Sequence, residues 1–127
     1  MTQRLDQIAF SVVDVQRTER WFRDAFGFIP AGGTRAFRGW GARHVQGLPG
    51  AASTCWWLVD RSEHFQIELF PFAAPLAKLL PPAYRPCDVD SSRVGFWVQA
   101  FARTLERLAV LGTPPLTAPV GEMGGRR

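Results

Sequence analysis

The sequence predicts an α+β fold built from two similar units, the second of which is incomplete at its C-terminal end. Three patterns support this prediction. A strand followed by an amphipathic helix occupies residues 5–27, and two apolar runs, STCWWLVD and HFQIELF, follow as a hairpin. A second strand and helix pattern then appears at residues 93–112. We therefore expect one domain made of a full unit and a partial repeat of it.

The first strand is predicted at residues 5–13, because apolar and small or polar residues alternate there. One face carries Ile8, Phe10 and Val12, and the other carries Gln7, Ala9 and Ser11. Asp14 stands where a helix N-cap is expected, and Gly27 follows the last residue with helical periodicity. A strand therefore leads directly into a helix.

Residues 28–50 are interrupted by many glycines and Pro30, and a strand is expected only around residues 33–37. In the hairpin that follows, the residues on the two faces differ more clearly in polarity. In its second strand, Gln66, Glu68 and Phe70 point to one side, and Phe65, Ile67 and Leu69 to the other. Glu68 is a carboxylate in the middle of an apolar strand, so it is the first residue that needs an explanation.

The repeat follows a proline-rich stretch, which we interpret as a linker at residues 73–91 between a first module at 4–72 and a second at 92–127. Val94, Phe96 and Val98 are predicted to share one face of the second module's first strand, and Gly112 to end its helix. Aligning the two openings sets Gln7 against Arg93. Too few residues follow Gly112 for three more strands.

Composition excludes several classes of protein. A chain of 127 residues with 46% hydrophobic residues can bury a core as one domain. The net charge of +4 comes from basic residues spread along the chain, which does not favour a nucleic-acid surface. No run of residues has the length and apolarity of a membrane span or a signal peptide, and Cys55 and Cys87 do not suggest a disulfide framework. We therefore expect a cytoplasmic protein without nucleic-acid or membrane partners.

Three segments, LDQIAFSVVDVQRTERWFRDAFGF, FQIELF and VGFWVQAFARTLERLAVLG, resemble the vicinal oxygen chelate superfamily of glyoxalases, bleomycin resistance proteins and dioxygenases. The resemblance implies paired βαβββ modules that form a cupped mixed sheet with helices outside. It also implies a divalent metal ion, with Gln7 and Glu68 as ligands. Arg93 stands at the third ligand position and argues against the metal, because a guanidinium has no lone pair to donate. The fourth ligand would lie beyond residue 127.

Each candidate site residue keeps more than one interpretation. Glu68 is a metal ligand, a catalytic acid–base group, or a structural residue paired with Arg93. Arg93 is a catalytic residue that replaces the metal or clamps an anionic ligand, or it is a surface arginine. One of Trp56 and Trp57 must face the cup. The predicted substrate-binding residues are Ser11, Gln66, Trp57 and Trp97, although the tryptophans could simply fill the cup.

Two functions remain open at this point. The first is a lyase, isomerase or dioxygenase of the glyoxalase superfamily that acts on a small oxygenated metabolite, aromatic or anionic in character. The second is a non-catalytic protein that sequesters a drug-like molecule, as bleomycin resistance proteins do. An unfinished sheet leaves an open edge, and a homodimer that covers it is expected.

Overall fold

The computed structural model describes residues 6–33, 36–61, 65–76, 78–81, 83–85, 87–88 and 94–120. Along the chain they form strand β1 (Gln7–Val12), helix α1 (Val15–Phe26), strand β2 (Ile29–Gly33), helix α2 (Gly39–Gln46), strands β3 (Ala52–Ser53), β4 (Trp56–Val59) and β5 (Gln66–Ala74), and helix α3 (Phe101–Val110). The predicted α+β class is confirmed. None of the helices within these ranges has the length and apolarity needed to cross a membrane.

The strands form a mixed sheet in the order β1-β5-β4-β2, with the short β3 paired to β5. β1 and β5 run parallel, with Ala9 opposite Glu68, whereas β4 and β5 form the predicted antiparallel hairpin, with Trp57 opposite Glu68. β2 pairs with β4 in antiparallel orientation. This register places β1 beside β5, although more than fifty residues separate them in the sequence.

Helix α1 covers one face of this sheet and forms the core with it. Phe22 and Phe28 are buried together with Leu58, Ile67 and Leu69 from the two central strands. The helix begins as predicted, because an Asp14 side-chain oxygen accepts a hydrogen bond from the Arg17 backbone N–H at 2.9 Å. It ends at Gly27, whose positive φ of 81° is readily adopted only by glycine.

The segment after α1 differs from the prediction. The strand expected around residues 33–37 lies earlier, at β2, and Phe37 forms only an isolated bridge to Ser53. Helix α2 follows, although Gly39 and Gly41 lower its intrinsic helix propensity and its N-cap residue Arg38 makes no side-chain capping bond. Tertiary contacts hold the helix in place, since Ala42 is buried and Gln46 Nε2 donates to Ser53 Oγ at 2.6 Å.

The second predicted opening contributes a helix and no strand to the described residues. Residues 94–98 pair with no strand there. Phe96 instead inserts beside α1, where its ring stacks on Phe26 at 4.6 Å and contacts Phe22 and Phe28. Helix α3 then lies beside α1, with Arg107 Nη1 donating to the Ala25 carbonyl at 3.1 Å. Packing of the partly buried Phe96 against the core explains why this segment lies on the helix side of the sheet.

Candidate functional site on the open face of the sheet

The face of the sheet opposite α1 carries the polar residues that alternation assigned to it. Gln7 and Ser11 lie on β1, Gln66 and Glu68 on β5, and Trp57 on β4. Trp56 points the other way and packs against the buried core. The adjacent tryptophans therefore divide between the two faces, as strand geometry requires, with Trp57 on the open one.

Four of these side chains form one hydrogen-bonded chain. Gln66 Nε2 donates to Gln7 Oε1 at 2.8 Å, and Gln7 Nε2 donates to Glu68 Oε2 at 3.3 Å. Trp57 Nε1 donates to the other carboxylate oxygen, Glu68 Oε1, at 2.8 Å. Both oxygens of Glu68 are thus held by N–H donors from neighbouring strands. The carboxylate is fixed in position and keeps lone pairs for a ligand, because each oxygen accepts more than one hydrogen bond.

Cys55 is a further member of this site that the sequence did not reveal. Its side chain lies on the Trp57 side of β4 and is only 2% exposed. Burial raises the pKa of the Cys55 thiol to about 11, and the negative charge of Glu68 and a hydrogen bond with it add to the effect. The thiol therefore stays protonated and supports the carboxylate. The signal in the sequence was its two-residue spacing from Trp57 within the apolar run STCWWLVD.

The remaining predicted site residues are not joined to this network. Ser11 lies further along β1, opposite Phe70. Trp97 was expected on the cup face of a second strand, but it follows Phe96 on the helix side and is 98% exposed. Arg93 lies outside the described residues, so its predicted contact with Glu68 stays a prediction.

Gln7 and Glu68, the two described residues of the implied ligand set, do not by themselves form a site for the divalent metal that the family resemblance implied. Gln7 turns its amide nitrogen toward Glu68, and its oxygen, the only atom of that side chain able to bind a cation, toward Gln66. A calcium or magnesium site needs about six oxygen ligands converging on one point. Within the described ranges, no three His, Cys, Asp or Glu side chains come together as a metal-binding group.

Comparison with known proteins gives one informative similarity. No family model and no curated protein matches the chain. Among solved structures, it is similar to the crystal structure of a glyoxalase family protein from Bacillus cereus, with a TM-score of 0.65 and 21% sequence identity. The similarity covers 88% of this chain and 74% of that one. At this identity it establishes the fold, which is the fold that the sequence resemblance predicted.

Proposed function

We propose that this chain is an enzyme that binds a small oxygenated metabolite on the open face of the sheet and uses Glu68 as its acid–base group. The observation that carries the proposal is the position of the Glu68 carboxylate, held between Trp57 Nε1 and Gln7 Nε2. A base fixed by its neighbours loses little orientational freedom when substrate arrives, which favours proton transfer. The fold similarity to a glyoxalase family protein is consistent with a small-molecule site.

The reaction class that suits these groups is proton transfer next to a carbonyl. Glu68 would take the proton from carbon, the C–H bonding electrons would move toward the carbonyl oxygen, and an enolate would form. Each primary amide nitrogen carries two N–H groups, and Gln7 and Gln66 each use one of them within the network. The second N–H of either amide can donate to the enolate oxygen. Returning the proton to the same or a neighbouring atom completes an exchange or isomerisation.

The substrate class follows from the groups around the carboxylate. Trp57 is only partly buried and offers a flat apolar surface next to Glu68. An aromatic hydroxy ketone would place its ring on the indole and its carbonyl near the amides. We propose this class for the described part of the site, with Arg93 as the predicted partner for an anionic substituent.

The test is carbon-bound deuterium exchange, followed by NMR in D₂O, across a panel of small aryl hydroxy ketones, with binding read from tryptophan fluorescence. Glu68→Gln should lower the exchange rate by about 10²–10⁴-fold, the range typical of a general base. Glu106→Gln, on the exposed side of α3, is the matched control and should exchange at the wild-type rate. Equal exchange by wild type and Glu68→Gln would remove Glu68 from catalysis.

A second function, sequestration without reaction, is favoured by one observation. Both Glu68 oxygens already accept hydrogen bonds from the chain itself, which suits a group that recognises a ligand without reacting with it. Tight binding of the same panel without any exchange would support it. Elemental analysis of the purified protein is the accompanying measurement. A stoichiometric divalent ion that is lost in Glu68→Gln would restore the metal role predicted for Gln7 and Glu68.

A further inference from the structure

A large groove lies at the carboxyl end of β1, on a different part of the molecule from Glu68. Its volume is about 1010 Å³. It is lined by the end of β1 and the turn after it, the first turns of α1, residues 78–80, and residues 111–113 after α3. We call it the β1-end groove. Its size is in the range of cavities that bind drug-sized molecules.

Much of the wall of the β1-end groove is apolar. Leu79 and Leu80 are 82% and 64% exposed, so they present hydrocarbon surface to solvent. Trp21 also lines the groove, and its one polar atom, the indole Nε1, donates to Thr113 Oγ1 at 2.9 Å, so the rest of its ring is apolar surface. A ligand with an apolar body would be stabilised by removing this surface from water.

The rim of the same groove carries three cationic side chains that form no ion pair within the described part of the chain. The side chains of Arg17, Arg20 and Lys78 line it, and none of them forms a hydrogen bond or an ion pair with another described residue. The two acidic residues of the lining are already engaged. Asp14 caps α1. Asp24 is bound by Arg23 at 2.8 Å, which lowers the pKa of its carboxyl group, and the positive charge of Arg20 lowers it further. The lining carries three cations and two carboxylates, so its net charge is positive.

From this combination we infer that the β1-end groove binds an amphipathic anion, with an acyl or aryl body and a single carboxylate, sulfonate or phosphate group. The apolar walls take the body, and the guanidinium groups of Arg17 and Arg20 bind the anionic head in the fork geometry that suits such groups. A neutral alcohol with an apolar body of the same length would bury as much apolar surface, but the cations would not add to its binding affinity. The inference does not depend on the function proposed for Glu68.

Calorimetric titration of the full chain with dodecanoate, compared with dodecanol, tests the inference. Dodecanoate should bind with one-to-one stoichiometry and about tenfold more tightly than dodecanol, since two charge contacts of about 0.7 kcal/mol each amount to a factor of ten. Arg17→Ala combined with Arg20→Ala should weaken dodecanoate about tenfold and leave dodecanol unchanged. The matched control, Arg38→Ala with Arg43→Ala, removes two exposed arginines at α2 and should leave both affinities within twofold.

Three results would overturn the inference. The first is that dodecanoate fails to bind at millimolar concentration. The second is that both double variants lose affinity equally, which would indicate a general effect of net charge. The third result is equal affinity for dodecanoate and dodecanol with no effect of the Arg17 and Arg20 substitutions, which would identify a nonspecific apolar surface. Circular dichroism of each variant shows whether a loss comes from misfolding, and the charge-conserving Arg17→Lys with Arg20→Lys variant should retain most of the affinity.

Discussion

At the scale of single residues, the environment of Glu68 illustrates how a sheet assembles a polar site. Its three neighbours come from β1, from β4 and from the residue just before β4, and each contributes a different donor: an amide, an indole and a thiol. The thiol of Cys55 is the least expected of them. Its burial and its proximity to a negative charge both disfavour the thiolate, so it acts as a proton-bearing support and not as a nucleophile.

The two cysteines should therefore differ sharply in reactivity. Iodoacetamide at pH 8 should alkylate the buried Cys55 at least about 100-fold more slowly than the exposed Cys87, because a thiol with a pKa of about 11 is almost entirely protonated at this pH. Peptide mass spectrometry over time measures both rates. Labelling in urea is the control and should equalise them; equal rates in the native protein would contradict the burial of Cys55.

The raised pKa of Cys55 also predicts a pH dependence of stability. The unfolded thiol ionises near pH 9 and the folded one near pH 11, so the free energy of unfolding should fall as pH rises through this window. Below pH 9 both states are protonated and the full contribution is present. Urea unfolding of wild type and Cys55→Ala between pH 8 and 11 isolates the effect, since the remaining groups titrate equally in both. Parallel pH profiles for the two proteins would be evidence against it.

At the scale of elements, the pairing of β2 with β4 depends on a missing side chain. Gly33 lies opposite Trp56, and a Cβ atom at Gly33 would overlap the six-membered ring of that indole and press on the Cys55 carbonyl oxygen. The Trp56 ring therefore packs over the backbone of Gly33 and reaches the buried core. This packing ties the edge strand to the sheet more firmly than a strand of Pro, Ala and Gly would suggest.

Gly33→Ala should consequently lower the free energy of unfolding by about 1–3 kcal/mol, the cost of forcing an extra carbon into a packed contact. Gly41→Ala is the matched control. A Cβ there meets nothing within 4 Å, and the residue lies in α2, where alanine favours the helix, so its stability should be unchanged or higher by up to about 1 kcal/mol. Urea denaturation provides both values, and equal stabilities would show that Trp56 moves aside without cost.

At the scale of the whole molecule, α1 covers one side of the sheet, and no helix of the described residues covers the other. β1 forms one edge of the strand order and β2 the other. Large apolar side chains stand in solvent on several segments, with Trp97 and Leu116 almost fully exposed. Both features favour association, because an unpaired edge strand and exposed hydrocarbon are each stabilised by contact with another chain. A homodimer remains our proposal for this chain.

Light scattering across a range of protein concentrations should give twice the mass of the chain. Ala9→Lys introduces a charge on the open face of the edge strand β1 and should shift the protein to the monomer, since a lysine blocks edge and face pairing. Ala102→Lys, at an exposed position of α3, makes the same chemical change elsewhere and should remain dimeric. A monomeric wild type at high concentration would rule the dimer out.

Local patterns were enough to predict much of this molecule. Three features depend on residues within a few positions of one another and could therefore be predicted from the sequence. They are the Asp14 cap, the helix end at Gly27 and the alternation of side chains in β1 and β5. Helix α2 and the course of residues 94–98 were not. Helix α2 depends on the burial of Ala42 and on the hydrogen bond from Gln46 to Ser53. The course of residues 94–98 depends on the packing of Phe96 against Phe26 of α1.

The sequence by itself determined the α+β class and the face of the sheet on which Gln7, Gln66 and Glu68 lie, because side-chain alternation and helix caps are properties of the local chain. It also carried the resemblance to the vicinal oxygen chelate fold. Only the tertiary structure decided which of Trp56 and Trp57 meets Glu68, that Cys55 joins it, and that the cations of α1 border a groove. These depend on strand register and on the packing of distant segments, and a shift of one residue would have reversed every face.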